Sequence, residues 1–490
     1  MRKRFEIQYE LGAKPIEELQ IPTKSRDELP AVLRGLQYIF VTPELNEKVF
    51  SILEQEIKKS KRGSPGLSLW EILVFGVVRL TLDIDYDRLE HIANYDGLVR
   101  EMLGTNTFGM LGKKLKTYPL QTIKDNVRLL SEETIDKISG IVVESGYSIK
   151  KKDSGAVLAI NIKVDSYVLE SNAHFPTDYN LLWDASRKSI DLIERIKGEG
   201  KIKGWRKYSD WKRRIKNAFI SVCRSSMRGG IHRLERLQKS VEKYLSLTEV
   251  LLTKIKETKA EIAKAASESQ VKLMKLKDLE YFELMIEKQN NLLKRRVIYG
   301  ETIGHEEKIF SLFETYTEWI NKGKSGNRIE LGLRIAISTD QYGFIIDRRI
   351  MEKEIDVEVA VPIAEKLRNK LGSNIGSISF DKGYWSKDNY EELRKIVKET
   401  ILPKRGKLNK EEYDREHDEK FKMLRRGHSL IESNINSLEH HGLNRCPDRG
   451  IKHFKNYSAL GVLAYNLHLL GNIILEKDRK RDKKRFSRAA

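Results

Sequence analysis

The chain has 490 residues, a length that accommodates roughly three domains. Lys and Arg total 91 against 71 Asp and Glu, a formal net charge of +20, and 40% of the residues are hydrophobic, which excludes an intrinsically disordered chain. Cys223 and Cys446 are its two cysteines, so a disulfide-rich secreted scaffold is excluded and a reducing compartment is expected.

Residues 1–150 predict a helical region. The first residues, MRKRFEIQYELG, contain no apolar run, so we expect no secretory signal. A helix is predicted from Pro43, a basic loop at 58–66, and a buried helix from Leu67 with Ser68 as its N-cap. Two interpretations of the region stay open: a helix-turn-helix-like DNA-binding module, or a small helical bundle that only packs on its neighbour.

Residues 156–169, AVLAINIKVDSYVL, form an apolar and β-branched run that predicts a buried strand. Asp165 lies within it, and because an unpaired buried charge is costly, we expect a metal ion or a basic partner to compensate it. Residues 179–325 then predict an all-helical insertion in an interval without proline. Its apolar residues follow alternating three- and four-residue steps. This favours a helical hairpin packed within the chain over one continuous rod or a dimer arm.

The β-pattern returns after the insertion. Residues 329–339 and 343–351 predict a hairpin with Asp340 in its turn, where we expect a structural role. A helix, a strand, a helix, a strand and a final helix are predicted next, at 357–371, 375–381, 386–398, 399–406 and 421–443.

The apolar stretch 457–475 is long enough to cross a bilayer. Asn466, His468 and Asn472 interrupt it, so we expect a buried helix of a large core and no membrane partner. The basic tail 476–490 is expected to attract DNA without sequence preference. The charge of the whole chain favours a polyanionic partner, most commonly nucleic acid, although ribosome association or solubility alone would also account for it.

Three acidic residues have positions that suit metal-dependent phosphodiester chemistry. Asp381 ends a predicted strand, Glu432 lies within the final helix, and Asp165 lies on the first long strand. Acids far apart in sequence can converge where strands end at the edge of a sheet. Divalent cations held by such a cluster activate water and stabilise a leaving oxygen, and Mg²⁺ prefers oxygen ligands. On spacing alone, an ordinary turn or helix-cap role stays open.

Five ordered stretches make the pattern more specific: VDSYVLESNAHFPTDYNLLWDA, EKIFSLFETYTEWINKGK, IELGLRIAISTDQYGFIID, SFDKGYWSKDNYEEL and HSLIESNINSLEHHGLNRCPDRG. Together they resemble DDE transposases of the ISNCY type, encoded by bacterial insertion sequences, over residues 67–475. The resemblance implies an α/β fold with an RNase H-like mixed sheet core, and Asp165, Asp381 and Glu432 as the catalytic, metal-binding triad. It also implies one or two Mg²⁺ (or Mn²⁺) ions, double-stranded DNA as the partner, a homodimer or larger assembly on DNA, and a cytoplasmic, nucleoid-associated location.

On this interpretation the chain has five parts. They are a helical N-terminal DNA-binding region, the first part of the core, a long helical insertion after the first strand, the second part of the core and a basic tail, at 1–150, 151–178, 179–325, 326–475 and 476–490. The insertion departs from many relatives, whose helical insert lies later, before the helix that carries the glutamate.

Further residues are candidates for DNA contact. Lys382 and Arg445 follow the acidic residues closely, and His428 shares a helix face with Glu432, where it would bind phosphate or orient the carboxylate. A basic segment with interleaved aromatics suits a phosphate backbone and stacking on unpaired bases. Its four candidates are Trp205, Arg206, Lys207 and Trp211. For every residue in this group, an ordinary surface or packing role is the alternative.

Other acidic and metal-binding patterns are weaker. Asp178 and Asp184 are rivals for the first acid, although Asp178 is expected to cap a helix, and Glu318 has no assigned role. Cysteine and histidine spacing does not suit zinc, and no GxxxxGK[ST] loop is present, so neither zinc nor ATP is expected. We expect a transposase that cuts and joins DNA at terminal inverted repeats. A metal-dependent nuclease without strand transfer and a non-catalytic DNA-binding architectural protein are the alternatives.

Overall fold

The chain folds into two compact units. The computed structural model describes residues 2–5, 14–57, 66–105, 115–154, 159–197, 205, 207–265, 270–321 and 329–489. Unit 1 is formed by Met1–Asn172 and Ile320–Ala490, and unit 2 by Ala173–Trp319. The insertion predicted at 179–325 overlaps unit 2 over most of its length, but its all-helical character is wrong at the end, where Glu318–Asn321 forms a strand of the sheet. Most of the basic loop predicted at 58–66 lies outside the described residues.

Unit 1 is built on a six-stranded mixed sheet, so the chain is a mixed α/β protein. The strands are β1 (Ile160–Glu170), β2 (Glu318–Asn321), β3 (Ile329–Thr339), β4 (Ile345–Met351), β5 (Ile375–Phe380) and β6 (Glu399–Ile401). Their spatial order is β2-β3-β1-β5-β6, and β4 also pairs with β3. β1 is antiparallel to β3 and parallel to β5, β3 is antiparallel to β4, and β5 is parallel to β6. The predicted hairpin is therefore confirmed as β3 and β4.

The helices divide between the units along the chain. Those before the insertion are α1 (Leu29–Val41), α2 (Pro43–Glu56), α3 (Leu69–Thr81), α4 (Tyr86–Tyr95), α5 (Gly97–Met102), α6 (Leu120–Val127) and α7 (Glu132–Ser154). Unit 2 contains α8 (Asp178–Lys197), α9 (Tyr208–Met227), α10 (Arg233–Ala265) and α11 (Gln270–Val297). The later helices are α12 (Asp356–Leu371), α13 (Lys387–Ile396), α14 (Lys410–His417), α15 (Glu419–Arg426), α16 (Ser429–Leu438) and α17 (Ile451–Ala489).

The apolar helix α17 is a central packing element of unit 1, against α1, α3 and α7. It is long and apolar enough to cross a membrane by length and composition, but 78% of its most apolar window is buried inside the protein. The amide of Asn466 accounts for one polar interruption. It accepts from the N–H of Ile345 and donates to the carbonyl of Ile345 and to Ser139 Oγ, so it satisfies the backbone of β4. The predicted buried helix is confirmed.

The N-cap predicted at the start of α3 is also confirmed. Ser68 Oγ accepts from the backbone N–H of Glu71, and the Glu71 carboxylate accepts in return from the N–H of Ser68, a capping box. Every residue of α3 is buried, as its continuous apolar sequence predicts. Whether this helical region binds DNA stays a prediction.

Unit 2 contains a helical hairpin. Thr248 Oγ1 on α10 donates to Asn290 Oδ1 on α11, and Lys259 pairs with Glu283 at 2.8 Å further along α10. Since later residues of α10 meet earlier residues of α11, the helices are antiparallel. The threonine that interrupts the apolar steps, Thr248, is fully buried and satisfied by this hydrogen bond. The hairpin is thus the correct alternative, and the continuous rod is wrong.

The single final helix predicted at 421–443 is wrong. The chain forms α15 and α16 with a tight turn between them, in which His428 N–H donates to the carbonyl of Arg425, three residues back. A π-helical turn, Glu439–Leu443, follows α16, and Gly442 in it has φ +77°, a conformation that glycine adopts without strain. The expected structural role of Asp340 is confirmed, since its Oδ1 accepts from two backbone N–H groups of the hairpin turn.

Two glycines of α7 give a test of this packing. A Cβ at Gly146 would overlap the ring of Phe344, whereas a Cβ at Gly140 would meet nothing within 4 Å. We expect Gly146→Ala to lower the free energy of unfolding by about 1–3 kcal/mol through overpacking, and Gly140→Ala to raise it by about 0.5–1 kcal/mol through helix propensity. Urea unfolding of both variants measures the difference. Equal effects would contradict the proposed packing of α7 against the hairpin.

Candidate active site

The register of β1 and β5 places two of the predicted acids side by side. The strands are parallel, and Val164 lies opposite Phe380. Asp165 is the next residue of β1 and Asp381 directly follows β5, so the two aspartates are neighbours at the spacing of adjacent strands, about 4.8 Å. Val164 and Phe380 belong to the apolar cluster formed with α12. Because successive side chains alternate, Asp165 and Asp381 are directed to the opposite face.

The third predicted acid reaches the same place from α16, which packs on β1. α16 is held by its buried face, where Ile431 and Leu438 are inaccessible to solvent and Asn434 Oδ1 accepts from the hydroxyl of Tyr465. Glu432 lies on the exposed side. Asp165, Asp381 and Glu432 all line one cavity of about 570 Å³.

Two further acids that were not singled out from the sequence line this cavity, Asp356 and Glu439. Asp356 is the first residue of α12, and its Oδ1 accepts from Ser166 Oγ at 2.7 Å, directly beside Asp165. An acid in the first turn of a helix is common for reasons of helix stability, so the sequence carried no signal that distinguished Asp356. The guanidinium of Arg334 also lines the cavity and has no ion-pair partner among the described residues.

The electrostatics of the cavity favour cation binding. Burial, with a further contribution from the nearby carboxylates of Asp381, Asp356 and Glu432, raises the pKa of Asp165 to about 6. The backbone N–H of Ser166 donates to Asp165 Oδ1 and opposes this rise. A cluster of hard oxygen donors that repel one another fits a divalent cation such as Mg²⁺, which would relieve the repulsion.

His428 lies next to the acids but is held by the protein. Its Nδ1 is 3.1 Å from Ser379 Oγ on β5, and it is half-buried at the turn before α16. Burial lowers its pKa, while the charges of Asp381 and Glu432 oppose this change. Because this imidazole is neutral and hydrogen-bonded, it is better suited to orienting the helix that carries Glu432 than to contacting a DNA phosphate.

The two predicted cations are exposed. Lys382 directly follows Asp381 and is accessible to solvent. Arg445 lies in a segment that pairs with the end of β1. The carbonyl of Asn444 accepts from the N–H of Glu170, and the carbonyl of Glu170 accepts from the N–H of Cys446. Their DNA contacts stay a prediction.

The four candidates in the basic aromatic segment belong to unit 2 and differ in accessibility. Trp205 is 1% exposed and its indole N–H donates to Thr258 Oγ1, so the prediction that it stacks on DNA bases is wrong for this conformation. Trp211 is half-buried against the same apolar cluster, with Lys254 Nζ 5.7 Å from its ring centre. Lys207 is exposed, and Arg206 lies outside the described residues. Both tryptophans therefore pack in the apolar cluster of unit 2.

The rival acids form ion pairs within unit 2. The prediction that Asp178 caps a helix is wrong: it is the first residue of α8, the preceding Thr177 accepts from the N–H of Asn180, and Asp178 pairs with Arg296 at 2.8 Å. Asp184 pairs with Arg187 at 3.1 Å. Neither residue lines the acidic cavity.

Comparison with known proteins gives one match. Residues 301–467 match the family model of the transposase DDE domain. No curated protein and no solved structure matches the chain. The matched segment contains Asp381 and Glu432 and ends well after α16, whereas Asp165 precedes it. The match supports a DDE-type transposase, a class that acts on DNA and generally uses divalent metal ions.

The raised pKa of Asp165 predicts a pH-dependent stability. The folded chain holds this proton up to about pH 6, above the ordinary value of 3.8, so the stabilisation is complete at low pH and is lost as the pH rises through 6. In chelator, we expect Asp165 to account for a fall of up to about 3 kcal/mol in the free energy of unfolding between about pH 4 and pH 7. Urea unfolding of Asp165→Asn should show a shallower decline. The exposed Asp125→Asn should keep the original slope, and an unchanged slope in Asp165→Asn would contradict the assignment.

Proposed function

We propose that the chain is a DNA transposase of the ISNCY type. It would bind the terminal inverted repeats of its own element, hydrolyse a phosphodiester at each end and use each freed 3′-hydroxyl to attack target DNA. The observation that carries this proposal is the single cavity lined by Asp165, Asp381 and Glu432. The transposase DDE match supports it, because two of these acids lie in the matched segment.

An RNase H-like core is part of the proposal. It is supported by a long first strand bearing an acid, an antiparallel hairpin beside it, and two parallel strands on its other side. The helix that carries Glu432 follows these strands. Element order and acid positions support this part of the proposal, and the helical insertion after the first strand is its departure from many relatives.

The three acids would be the cation ligands. One or two Mg²⁺ (or Mn²⁺) ions held there would activate the attacking water or hydroxyl and stabilise the leaving oxygen. The chain's own contribution is positional: the β1–β5 pairing fixes Asp165 and Asp381, and the buried face of α16 fixes Glu432. His428 is hydrogen-bonded to Ser379, so it would hold the main chain of the turn before α16 and keep this helix in place.

DNA would be held by cations around the acids. Lys382 and Arg334 adjoin or line the cavity, and Arg445 lies near the end of β1, so they would contact phosphates and fix the register of the strand. Lys207, Arg206 and the edge of Trp211 are the remaining candidates in unit 2. The helical N-terminal region and the basic tail would add further DNA contacts.

The proposal extends to assembly and location. Two element ends must be cut in concert, so a homodimer or larger assembly is expected on DNA. A bacterial cytoplasmic, nucleoid-associated location follows from DNA as substrate, and phosphoryl transfer between DNA strands requires no ATP. The +20 net charge supports a nucleic-acid partner.

A plasmid assay tests the function. The substrate is a supercoiled plasmid carrying the DNA that flanks the gene on both sides, incubated with the full chain and Mg²⁺ or with chelator. A Mg²⁺-dependent product in which flank DNA is joined to a new site supports transposition. Cleavage without joining identifies a nuclease, and binding without any cleavage identifies an architectural protein; each of these refutes the proposal.

Asp381→Asn tests the catalytic assignment in the same assay. Loss of one cation ligand is expected to reduce Mg²⁺-dependent cleavage roughly a thousandfold or more, while DNA binding measured by gel shift is retained. Asp388→Asn makes the same chemical change in the first turn of α13 and should cleave normally. Full cleavage by Asp381→Asn would remove it from the triad.

Asp356 lines the same cavity as Asp165 and accepts a hydrogen bond from Ser166. We therefore expect it to strengthen cation binding in the cavity. Asp356→Asn should weaken Mn²⁺ binding, measured by calorimetry on the full chain, by about 10–100-fold. Glu358→Gln is the matched control, because Glu358 lies in the same first turn but caps the N–H of Ile355 instead of lining the cavity. Equal Mn²⁺ affinity in both variants would show that Asp356 only stabilises α12.

A further inference from the structure

A second group of ligand atoms lies in unit 1, outside the acidic cavity. Glu28, His441 and His468 each offer one ligand atom, and these atoms all lie within 4.8 Å of one another. His441 Nε2 is 3.2 Å from His468 Nδ1, and His441 Nδ1 is 3.8 Å from Glu28 Oε2. The residues come from the start of α1, the π-helical turn after α16 and the middle of α17, so only the folded chain brings them together.

The two imidazoles are withdrawn from solvent, His441 fully and His468 in part. His441 is 1% exposed, and its Nδ1 has no hydrogen-bond partner among the described residues. Burial and the neighbouring His468 together lower the pKa of His441 to about 4, against the opposing effect of the Leu80 and Thr81 backbone, and burial also lowers the pKa of His468. Neutral imidazoles keep a nitrogen lone pair near pH 7, and a buried nitrogen without a partner is costly unless a ligand satisfies it.

The carboxylate of Glu28 is available to the same site. Glu28 occupies the N-cap position of α1, yet its side chain makes no capping hydrogen bond. Its side chain is 38% exposed, and its Oε2 lies 3.8 Å from His441 Nδ1. It is therefore free to turn toward a cation held by the two histidines.

We propose that Glu28, His441 and His468 bind one Zn²⁺ ion. Two imidazole nitrogens and one carboxylate oxygen are a donor set that suits zinc, whereas Mg²⁺ prefers oxygen ligands alone. Two nitrogens at about 2.0–2.1 Å from a tetrahedral zinc lie about 3.3 Å apart, close to the 3.2 Å between His441 and His468. One nitrogen of His441 would bind the ion, and water would fill the fourth position from the exposed side of Glu28.

The ion would connect the N-terminal helices to the element that carries Glu432. The π-helical turn of His441 directly follows α16, and α1 and α17 already pack on each other. Zinc at this place would hold the end of α16 against both helices, so its binding free energy would add to the stability of unit 1. This inference does not rest on the proposed function.

The test uses the full chain with Asp381→Asn, which weakens the acidic cavity, after removal of metals with chelator. Calorimetry should find one Zn²⁺ per chain, with a rise in Tm, and Co²⁺ should give the visible absorption of a nitrogen-ligated site. His468→Gln, which retains hydrogen-bonding atoms, and Glu28→Gln should each weaken Zn²⁺ binding about tenfold or more. The exposed His91→Gln should bind zinc as the parent does.

Two results would overturn the proposal. One is the absence of Zn²⁺ binding in the parent chain. The other is a zinc affinity and Co²⁺ spectrum that His468→Gln leaves unchanged. Either result would show that the two histidines are only a hydrogen-bonded pair within the core, whatever the plasmid assay shows about DNA cleavage.

Discussion

The parallel pairing of β1 with β5 is the contact on which the acidic cavity depends. It sets Asp165 beside Asp381 at the spacing of neighbouring strands and directs both away from the apolar cluster under α12. A slip of one residue in this register would turn Asp165 into that cluster. The ladder therefore holds two repelling carboxylates together, and the N–H of Ser166, which donates to Asp165 Oδ1, partly offsets the cost.

Sequence patterns were sufficient for the residues whose position follows from local structure. Asp165 lies on a strand and Asp381 directly follows one, as their β-branched runs predict, and Ser68 caps a helix that its apolar run predicts. The hairpin of β3 and β4 follows from a turn signal between alternating strands. Asp356 could not be found in this way, because its contact with Ser166 depends on how α12 packs across the sheet.

Other differences also arise from tertiary contacts. The break before α16 is stabilised by the contact between His428 and Ser379, residues far apart in sequence. Aromatic spacing alone could not distinguish Trp205 as a DNA-stacking residue from Trp205 as a core residue bonded to Thr258. The group formed with His441 has no sequence spacing at all, since its residues come from three distant segments, and spacing was the ground on which zinc was not expected.

The place where unit 2 interrupts the sheet has a consequence for variation in this chain. The backbone leaves at the end of β1 and returns at β2, and both strands pair with β3; beside this junction, Ser171 N–H donates to the carbonyl of Leu331 at 2.8 Å. The strands before and after the insertion, β1 and β2, are thus both hydrogen-bonded to β3. Lengthening or shortening the hairpin of unit 2 changes the size of a closed loop, whose entropy varies only slowly with length. The length of that hairpin can therefore vary without disturbing the alignment that brings Asp165 and Asp381 together.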